Sequence, residues 1–333
     1  VAAHNAENEI RLFLESLRSS KNKDFEVCVC DDHSDDGTAA AVRGYDNEFD
    51  IRLEINDSNR GVTYTRNRAA RMAKGALLLF MDADIFVAPD TIDRLCARLE
   101  ESGADVVEGI YSPVALDGGL FSRYYALFAH HSFLVSDVPV EYNVFNAWCA
   151  LMRREVWDKT GGHAVVEKGV EVENEAMGRR IAARGFKLLL DPAIAVDHHW
   201  GGHRKLVFIF TKRIYWWVKV FFAAGWKFES SMTTPGYGLA TLCLPAALAF
   251  SVPALYRPAF WAPAVLLAAC FLAGYAPFYN FARRRRGTTY VPLAVGLSAY
   301  FALFAAVSAA YSGVEELIKR AVLGRYTLSP EIF

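Results

Sequence analysis

Three charge-free apolar stretches, residues 237–256, 259–281 and 290–311, constrain this chain more than anything else in it. Each runs for about 20 residues, the length that a bilayer's hydrocarbon core demands of a helix. A water-soluble fold would have to bury all three on every side. Their internal prolines are tolerated better in membrane helices, where neighbouring helices re-satisfy the freed backbone groups. Three transmembrane helices are therefore expected within 236–312. The run "RRRR" at 283–286 separates the second stretch from the third, and the positive-inside rule places that loop in the cytoplasm. Residues 1–235 then face the cytoplasm as well. The segment 313–333 forms a tail, which either lies outside or folds back as an interfacial helix through "VEELIKRAVLGR".

Ahead of the first stretch, 204–228 carries Lys205, Lys212 and Lys219 at seven-residue spacing among Phe208, Tyr215, Trp216, Trp217, Phe221 and Phe222. A regular helix would line the lysines along one face. A basic stripe among aromatics suits an interfacial amphipathic helix in the headgroup layer. Lys212, Arg213 and Trp216 are its candidate acceptor or membrane contacts.

The first 200 residues read differently. Short β-rich runs, "FEVCVC" (25–30), "IRLEI" (51–55), "ALLLFM" (76–81) and "DVVEGI" (105–110), alternate with helical spacing at 62–74 and 89–102. Alternation of this kind implies an α/β domain with a mostly parallel sheet, here over 1–203. The chain opens at Val1 without Met, in "VAAHNAENEI", and is expected to lack the start of its first strand. Lys plus Arg number 36 and Asp plus Glu 37, so charge gives no case for nucleic acid. The six cysteines are scattered without a CxxC pair and read as small buried hydrophobes.

Ligands of such sheets collect at the carboxyl ends of strands, and two acidic segments lie there. One is "CDDHSDDGT", 30–38; the other is "MDADIF", 81–86. Asp82 and Asp84 would repel each other unless something positive sits between or beside them. A divalent cation, held by one or two carboxylates and completed by substrate phosphates, would meet that need.

Taken together and in order, these segments resemble glycosyltransferase family 2, enzymes with the GT-A fold (a Rossmann-like nucleotide-diphospho-sugar transferase domain). "VAAHNAENEI" is similar to the family's first strand end and helix, with Ala2 where Pro is usual. "VCVCDDHSDDGT" resembles the second strand and its base-contacting aspartates. "NRGVTYTRNRAARMAKGALLLFMDADIF" resembles the block from Asn59-Arg60-Gly61 through Arg66-Asn67 to the Asp-x-Asp, and "NAWCALMRREVWDKTGGH" the segment that precedes the acceptor site. The resemblance implies a nucleotide sugar (UDP-, GDP- or dTDP-linked) as donor and Mg²⁺ or Mn²⁺ as cofactor. By the same resemblance, Asp84 binds the metal, with Asp82 on the ribose or the metal and His198 completing the metal or diphosphate site. Asp31 or Asp32 binds the base, with Ala3, His4, Asn5 and Arg66 around the nucleotide and Trp148 toward the acceptor. A zinc site from His198, His199 and His203 is disfavoured, because Gly201 and Gly202 interrupt the helix that would align them.

One departure matters. The family's Glu-Asp pair, which supplies the general base of inverting members, aligns with Glu173 and Asn174. Asn accepts no proton at neutral pH, so Glu173 or Glu175 would have to serve for a hydroxyl acceptor. A polyprenyl phosphate acceptor is already ionised and needs no base. The expected function is transfer to a lipid-linked or membrane-proximal glycan hydroxyl at a bacterial cell membrane, with polyprenyl-phosphate glycosylation as the alternative. A catalytically dead nucleotide-sugar-binding scaffold is the third reading. A nucleotidyltransferase lacks its Gly-rich basic loop here, and a processive synthase its Gln-x-x-Arg-Trp motif.

Overall fold

The computed structural model describes residues 1–164, 172–223, 225 and 235–328. In chain order the elements are β1 (Ala2–Ala3), α1 (Glu7–Arg18), β2 (Glu26–Asp31), α2 (Thr38–Arg43), β3 (Asp50–Ile55), α3 (Val62–Met72), β4 (Leu77–Met81), β5 (Ile85–Phe86), α4 (Thr91–Ser102), β6 (Val106–Ala115) and α5 (Leu120–Phe133). There follow β7 (Val140–Glu141), β8 (Cys149–Arg153), α6 (Arg154–Thr160), α7 (Glu173–Ala183), β9 (Leu188–His198), α8 (Gly202–Phe208), α9 (Ile214–Ala223), α10 (Pro235–Ala254), α11 (Trp261–Arg286) and α12 (Val291–Leu323). The described residues divide into two compact units, one holding those of Val1–Leu116 and Phe133–His199, the other those of Asp117–Ser132 and 200–328.

In the first unit β1, β2 and β3 form a parallel sheet, and a bridge between Ala2 and Asp82 leads on to β4. The second sheet runs β4-β8-β6-β9-β5 and is mixed: β6 and β9 are parallel, while β8 and β5 pair antiparallel to their neighbours. The expected parallel sheet thus holds for the first half and gives way where β8 inserts between β4 and β6. Apolar residues of β4, β8 and β6 make the core with α6 and α7, including Leu78, Phe80, Val106, Met152, Trp157, Met177 and Ile181. Gly178 lets α7 lie directly on the segment before β8, since a Cβ there would stand 2.2 Å from the Asn143 carbonyl oxygen. That contact sets where the first turn of α7 points. A cavity of about 700 Å³ lies along the sheet between β2 and β4, lined in part by Val27, Leu78 and Phe80.

Among its described residues the second unit contains three helices long and apolar enough to cross a membrane: Gly236–Ala254, Pro258–Arg286 and Thr288–Leu323. The third does not break after residue 311. α12 continues as one helix through "VEELIKRAVL", ending at Gly324 in the left-handed conformation. Residues 117–132, placed in the first domain by composition, belong to this unit, where Tyr124 bonds Ser298 at 2.8 Å and packs edge-on against Phe278.

The expected interfacial segment, of which 224 and 226–228 lie outside the described residues, is helical across 202–223 but not uniformly so. A π-helical turn, Ile209–Arg213, joins α8 to α9. The segment runs parallel to α12 at a constant offset. His203 meets the Tyr300 hydroxyl at 2.7 Å, Ser308 donates to the Thr211 carbonyl, Ser312 donates to the Tyr215 carbonyl at 2.8 Å, and Lys219 donates to Glu316 at 2.6 Å, each pair 97 residues apart. The lysine stripe is therefore corrected. A π turn carries more residues than an α turn, so the seven-residue spacing no longer returns to one face. Lys205 is exposed, Lys212 half-buried over the Phe208 ring at 4.8 Å, and Lys219 fully buried. Arg213 shares the π turn, and Trp216 is half-buried on α9 beneath Lys219, whose ammonium stands 5.9 Å from its ring.

Lys219 instead satisfies two carboxylates, Glu316 at 2.6 Å and Glu315 at 3.0 Å, with the Tyr215 hydroxyl also donating to Glu315. Removing one partner of a buried pair strands the other's charge. Lys219→Met is therefore expected to cost about 3–5 kcal/mol, read as a lowered melting temperature in detergent. An unchanged melt would contradict the buried pairing.

Candidate active site

The site is assembled where β1, β2 and β4 end. Asp32 follows β2 and is buried. Its carboxylate accepts the backbone N–H of Arg60 at 2.7 Å, that of Gly61 at 2.8 Å and the Asn56 side-chain amide at 2.7 Å. Gly61, at φ 86°, adopts a left-handed conformation that only glycine takes without strain. Asp32 thus shapes the turn entering α3 and aims that helix. Asp31 accepts from the backbone N–H and the hydroxyl of Ser34 through one oxygen, which leaves its other oxygen outside that turn. Of the two aspartates that the sequence could not separate, Asp32 is committed to the chain.

The first loop is sewn to the second. Ala3 is buried, its carbonyl accepting from the Asp32 N–H at 2.8 Å. The Asn5 N–H donates to the Ser34 hydroxyl at 2.9 Å, and the Asn5 side-chain oxygen accepts from the Asp35 N–H at 2.8 Å. His4 stays exposed beside Asn59, 3.0 Å from its amide nitrogen.

The Asp-x-Asp carboxylates resolve their repulsion by facing different partners. Asp82 accepts from the Arg66 guanidinium at 2.7 Å, and the other arm of Arg66 lies 3.6 Å from Glu173. Burial disfavours the Arg66 charge, yet Asp82 and Glu173 outweigh it and hold its pKa above the ordinary value. Asp84 meets His198, Oδ1 to Nε2, at 3.2 Å. The register of β5 on β9 makes this contact, pairing Ile85 with His198 across the sheet. His199 points elsewhere, 3.6 Å from Glu9, and His203 bonds Tyr300. Among the described residues no three His, Cys, Asp or Glu side chains converge on one metal position. The donor set at Asp84 nevertheless fits a Mg²⁺- or Mn²⁺-type ion, because such ions are held by few protein ligands plus phosphate oxygens and water.

Helix α7 separates its two glutamates. Glu173, in the first turn, reaches Arg66, whereas Glu175 is buried at 4% exposure. Residues two apart on a helix diverge by roughly 200°, so one of the pair must leave the site. Burial, with the charges of Glu108 and Glu175, raises the pKa of Tyr142. Asn174 lies between the two glutamates, and its carbonyl accepts the Phe145 N–H at 3.1 Å. That bond ties the segment before β8 to the start of α7.

Trp148 was expected toward the acceptor or membrane. Its ring is 5% exposed, stacked on Tyr111 at 4.3 Å with Phe133 edge-on at 4.9 Å, so it is an inner wall and not a surface contact. Tyr111 in turn meets His198 edge-on at 4.9 Å. Neither Tyr111 nor His163 stands out in the sequence, although "GGH" marks the latter, and Asn67 enters there only as part of the Arg66-Asn67 block. Asn67 bonds both the N–H and the carbonyl of His163 at 2.9 Å. Burial, then the Arg66 and Arg180 charges, push the His163 pKa down to about 3.

A histidine depressed in the folded state is more protonated when unfolded, so between its ordinary pKa and about 3 the unfolded chain binds the extra proton. Stability therefore falls with falling pH in that window, by up to about 1.4 kcal/mol per pH unit. Denaturant melts across this range are expected to show a slope that His163→Gln reduces. An identical slope in the variant would contradict the assignment.

The family model described as "Glycosyl transferase family 2" matches residues 1–161. The uncharacterized glycosyltransferase YfnE of Bacillus subtilis is 31% identical over 112 residues, 33% of this chain and 29% of the relative. The succinoglycan biosynthesis protein ExoO of Rhizobium meliloti is 34% identical over 118 residues, 35% of this chain and 34% of the relative. The chain thus spans about a third of the length of these curated relatives. Among solved structures, the mannosyltransferase PcManGT from Pyrobaculum calidifontis, in complex with GDP-Man and Mn²⁺, aligns with a TM-score of 0.57 at 20% identity, covering 94% of this chain and 85% of that one. The likeness shows a shared GT-A fold.

Proposed function

Since residues 1–161 are a glycosyl transferase family 2 domain, we propose that this protein transfers a sugar from a nucleoside-diphosphate donor to a hydroxyl of a lipid-linked or membrane-proximal glycan, with inversion. The observation that carries this reading is the pairing of Asp84 with His198 beside the chain Asp82–Arg66–Glu173. Asp84 and His198 would hold a Mg²⁺ or Mn²⁺ ion, which supplies Lewis-acid stabilisation of the leaving diphosphate. The complex of PcManGT with GDP-Man and Mn²⁺ supports both donor class and metal. Asp31, through its uncommitted oxygen, takes the nucleotide base, and Asp32 holds the turn that lets Arg66 reach the site. Arg66 orients Asp82 toward the ribose and keeps Glu173 in line with it.

Glu173 is the general base. It shares Arg66 with Asp82, whereas Glu175 is buried and points roughly 200° around the helix from it. A correctly placed carboxylate accepts the acceptor's proton as the new glycosidic bond forms. The catalytic domain faces the cytoplasm by the position of the arginine run 283–286, and the three apolar helices anchor it in a bacterial cell membrane.

Asn174 at the usual base position favours the second reading, a polyprenyl phosphate acceptor. The two separate by product chemistry, tested with radiolabelled donor and membranes. Mild acid frees the label from a polyprenyl phosphate as a single sugar, whereas a glycan acceptor keeps it in a glycosidic bond within a larger oligosaccharide. Label recovered in an oligosaccharide supports the hydroxyl reading, and label freed by mild acid as the monosaccharide overturns it.

A further inference from the structure

The four consecutive arginines Arg283–Arg286 have no role in the site described above. Between residues 230 and 314 the sequence holds no Asp or Glu, and its cations there are Arg257 and this run. Residues 258–282 carry no charge, and the stretch from Pro258 to Arg286 is helical. A helix crosses the hydrocarbon core in about 20 residues, so a span that starts at Pro258 delivers the arginines to the headgroup layer. Successive helical residues step by about 100°. The four arginines, all exposed, therefore fan around the end of α11. Arg285 lies over the Phe281 ring at 5.5 Å. The described carboxylates of this unit are engaged elsewhere: Asp117 accepts from the Ser122 hydroxyl and the Trp200 N–H, Glu315 and Glu316 pair with Lys219, and Glu315 also pairs with Lys319. Four like charges within one helical turn repel one another, and the carbonyl end of α11 offsets only about half a charge. Gly287, at φ 88°, closes that end by donating its N–H to the Arg283 carbonyl at 2.9 Å. Most of the positive charge thus has no counterpart among the described residues of this unit. Thr288 and Thr289, on the turn into α12, are exposed beside it.

We propose that Arg283–Arg286, with Thr288 and Thr289 on the following turn, bind the phosphodiester headgroups of anionic phospholipids of the phosphatidylglycerol class. A guanidinium fork pairs two N–H groups with two phosphate oxygens, and threonine hydroxyls donate to further oxygens. Side chains fanned around a helix end suit a layer of headgroups surrounding that helix, not one enclosed anion. Each arginine near an anionic surface strengthens attachment roughly fivefold. The inference goes beyond the sugar transfer proposed above and rests only on the reading of 258–286 as a membrane span.

The test uses the full chain in a neutral detergent and needs no nucleotide sugar, so its outcome is separate from that of the glycosyltransferase reading. Acyl-labelled phosphatidylglycerol is titrated onto the protein and followed by fluorescence anisotropy, with acyl-labelled phosphatidylcholine as the neutral comparator. The unaltered chain is expected to prefer phosphatidylglycerol by at least about tenfold, a preference that high salt weakens. The combined variant Arg283→Gln, Arg284→Gln, Arg285→Gln and Arg286→Gln should lose affinity on the order of 10²-fold, whereas lysine at all four positions keeps the charge and most of the binding. Removing the whole run can upset insertion, so two double variants carry the same test. Arg283→Gln with Arg284→Gln, and Arg285→Gln with Arg286→Gln, are each expected to lose on the order of tenfold. Equal affinity for the two lipids, or unchanged affinity in both double variants, overturns the proposal. Displacement by inorganic phosphate at matched ionic strength does so too, since the run would then be a free-phosphate site. Tighter binding of a polyprenyl diphosphate than of phosphatidylglycerol would make it an acceptor site and equally overturn it.

Discussion

Asp84→Ala is expected to reduce metal-dependent nucleotide release by on the order of 10²–10³-fold, the scale of losing one electrostatic stabiliser of a leaving group. The side chain is about a quarter exposed and meets His198 at 3.2 Å. Neither property makes it a pillar of the fold, so the melt should barely move. Asp82→Ala should behave differently. It strips a buried Arg66 of its nearer carboxylate, and uncompensated buried charge is costly. Loss of activity with an intact melt for Asp84, and loss of both for Asp82, is the expected pattern. Excess Mn²⁺ should not rescue the Asp84 variant, since the ligand itself is gone.

The second large effect concerns the base. Glu173→Gln keeps the shape and removes the proton acceptor, and is expected to lower kcat by about 10²–10⁴-fold with little change in donor KM. Glu175→Gln should leave kcat nearly unchanged, because that side chain is buried and leaves the helix roughly 200° away from Glu173. If Glu173→Gln retains full activity, the acceptor needs no base, and an already ionised phosphate acceptor takes the place of a hydroxyl. The effect thus decides between the two acceptor chemistries as well as between the two glutamates.

Much of the first unit could be read from periodicity. The runs at 25–30, 51–55, 76–81 and 105–110 became β2, β3, β4 and β6, because short apolar runs bounded by turn residues have few alternatives. The Asp-x-Asp lay at a strand end as expected. What could not be read depended on contacts between residues far apart. The partner of Asp84 lies 114 positions away, and only the β5–β9 register brings His198 to it. Which of Asp31 and Asp32 is tied to the 56–61 turn depended on contacts of that turn with the end of β2. Which of Glu173 and Glu175 meets Arg66 depended on the rotation of α7, packed closely at Gly178. In the second unit the lysine spacing was real but misread, since a π turn carries no clear signature in composition and rotates Lys219 into two glutamates.

The most direct measurement is nucleotide release from UDP-, GDP- and dTDP-sugars by the detergent-purified chain, with Mn²⁺, after chelation, and after Mn²⁺ is restored. The expected result is release from one class of donor that stops on chelation, returns with metal, and is absent in Asp84→Ala. Release that ignores both chelation and Asp84, or no release from any donor, would contradict it.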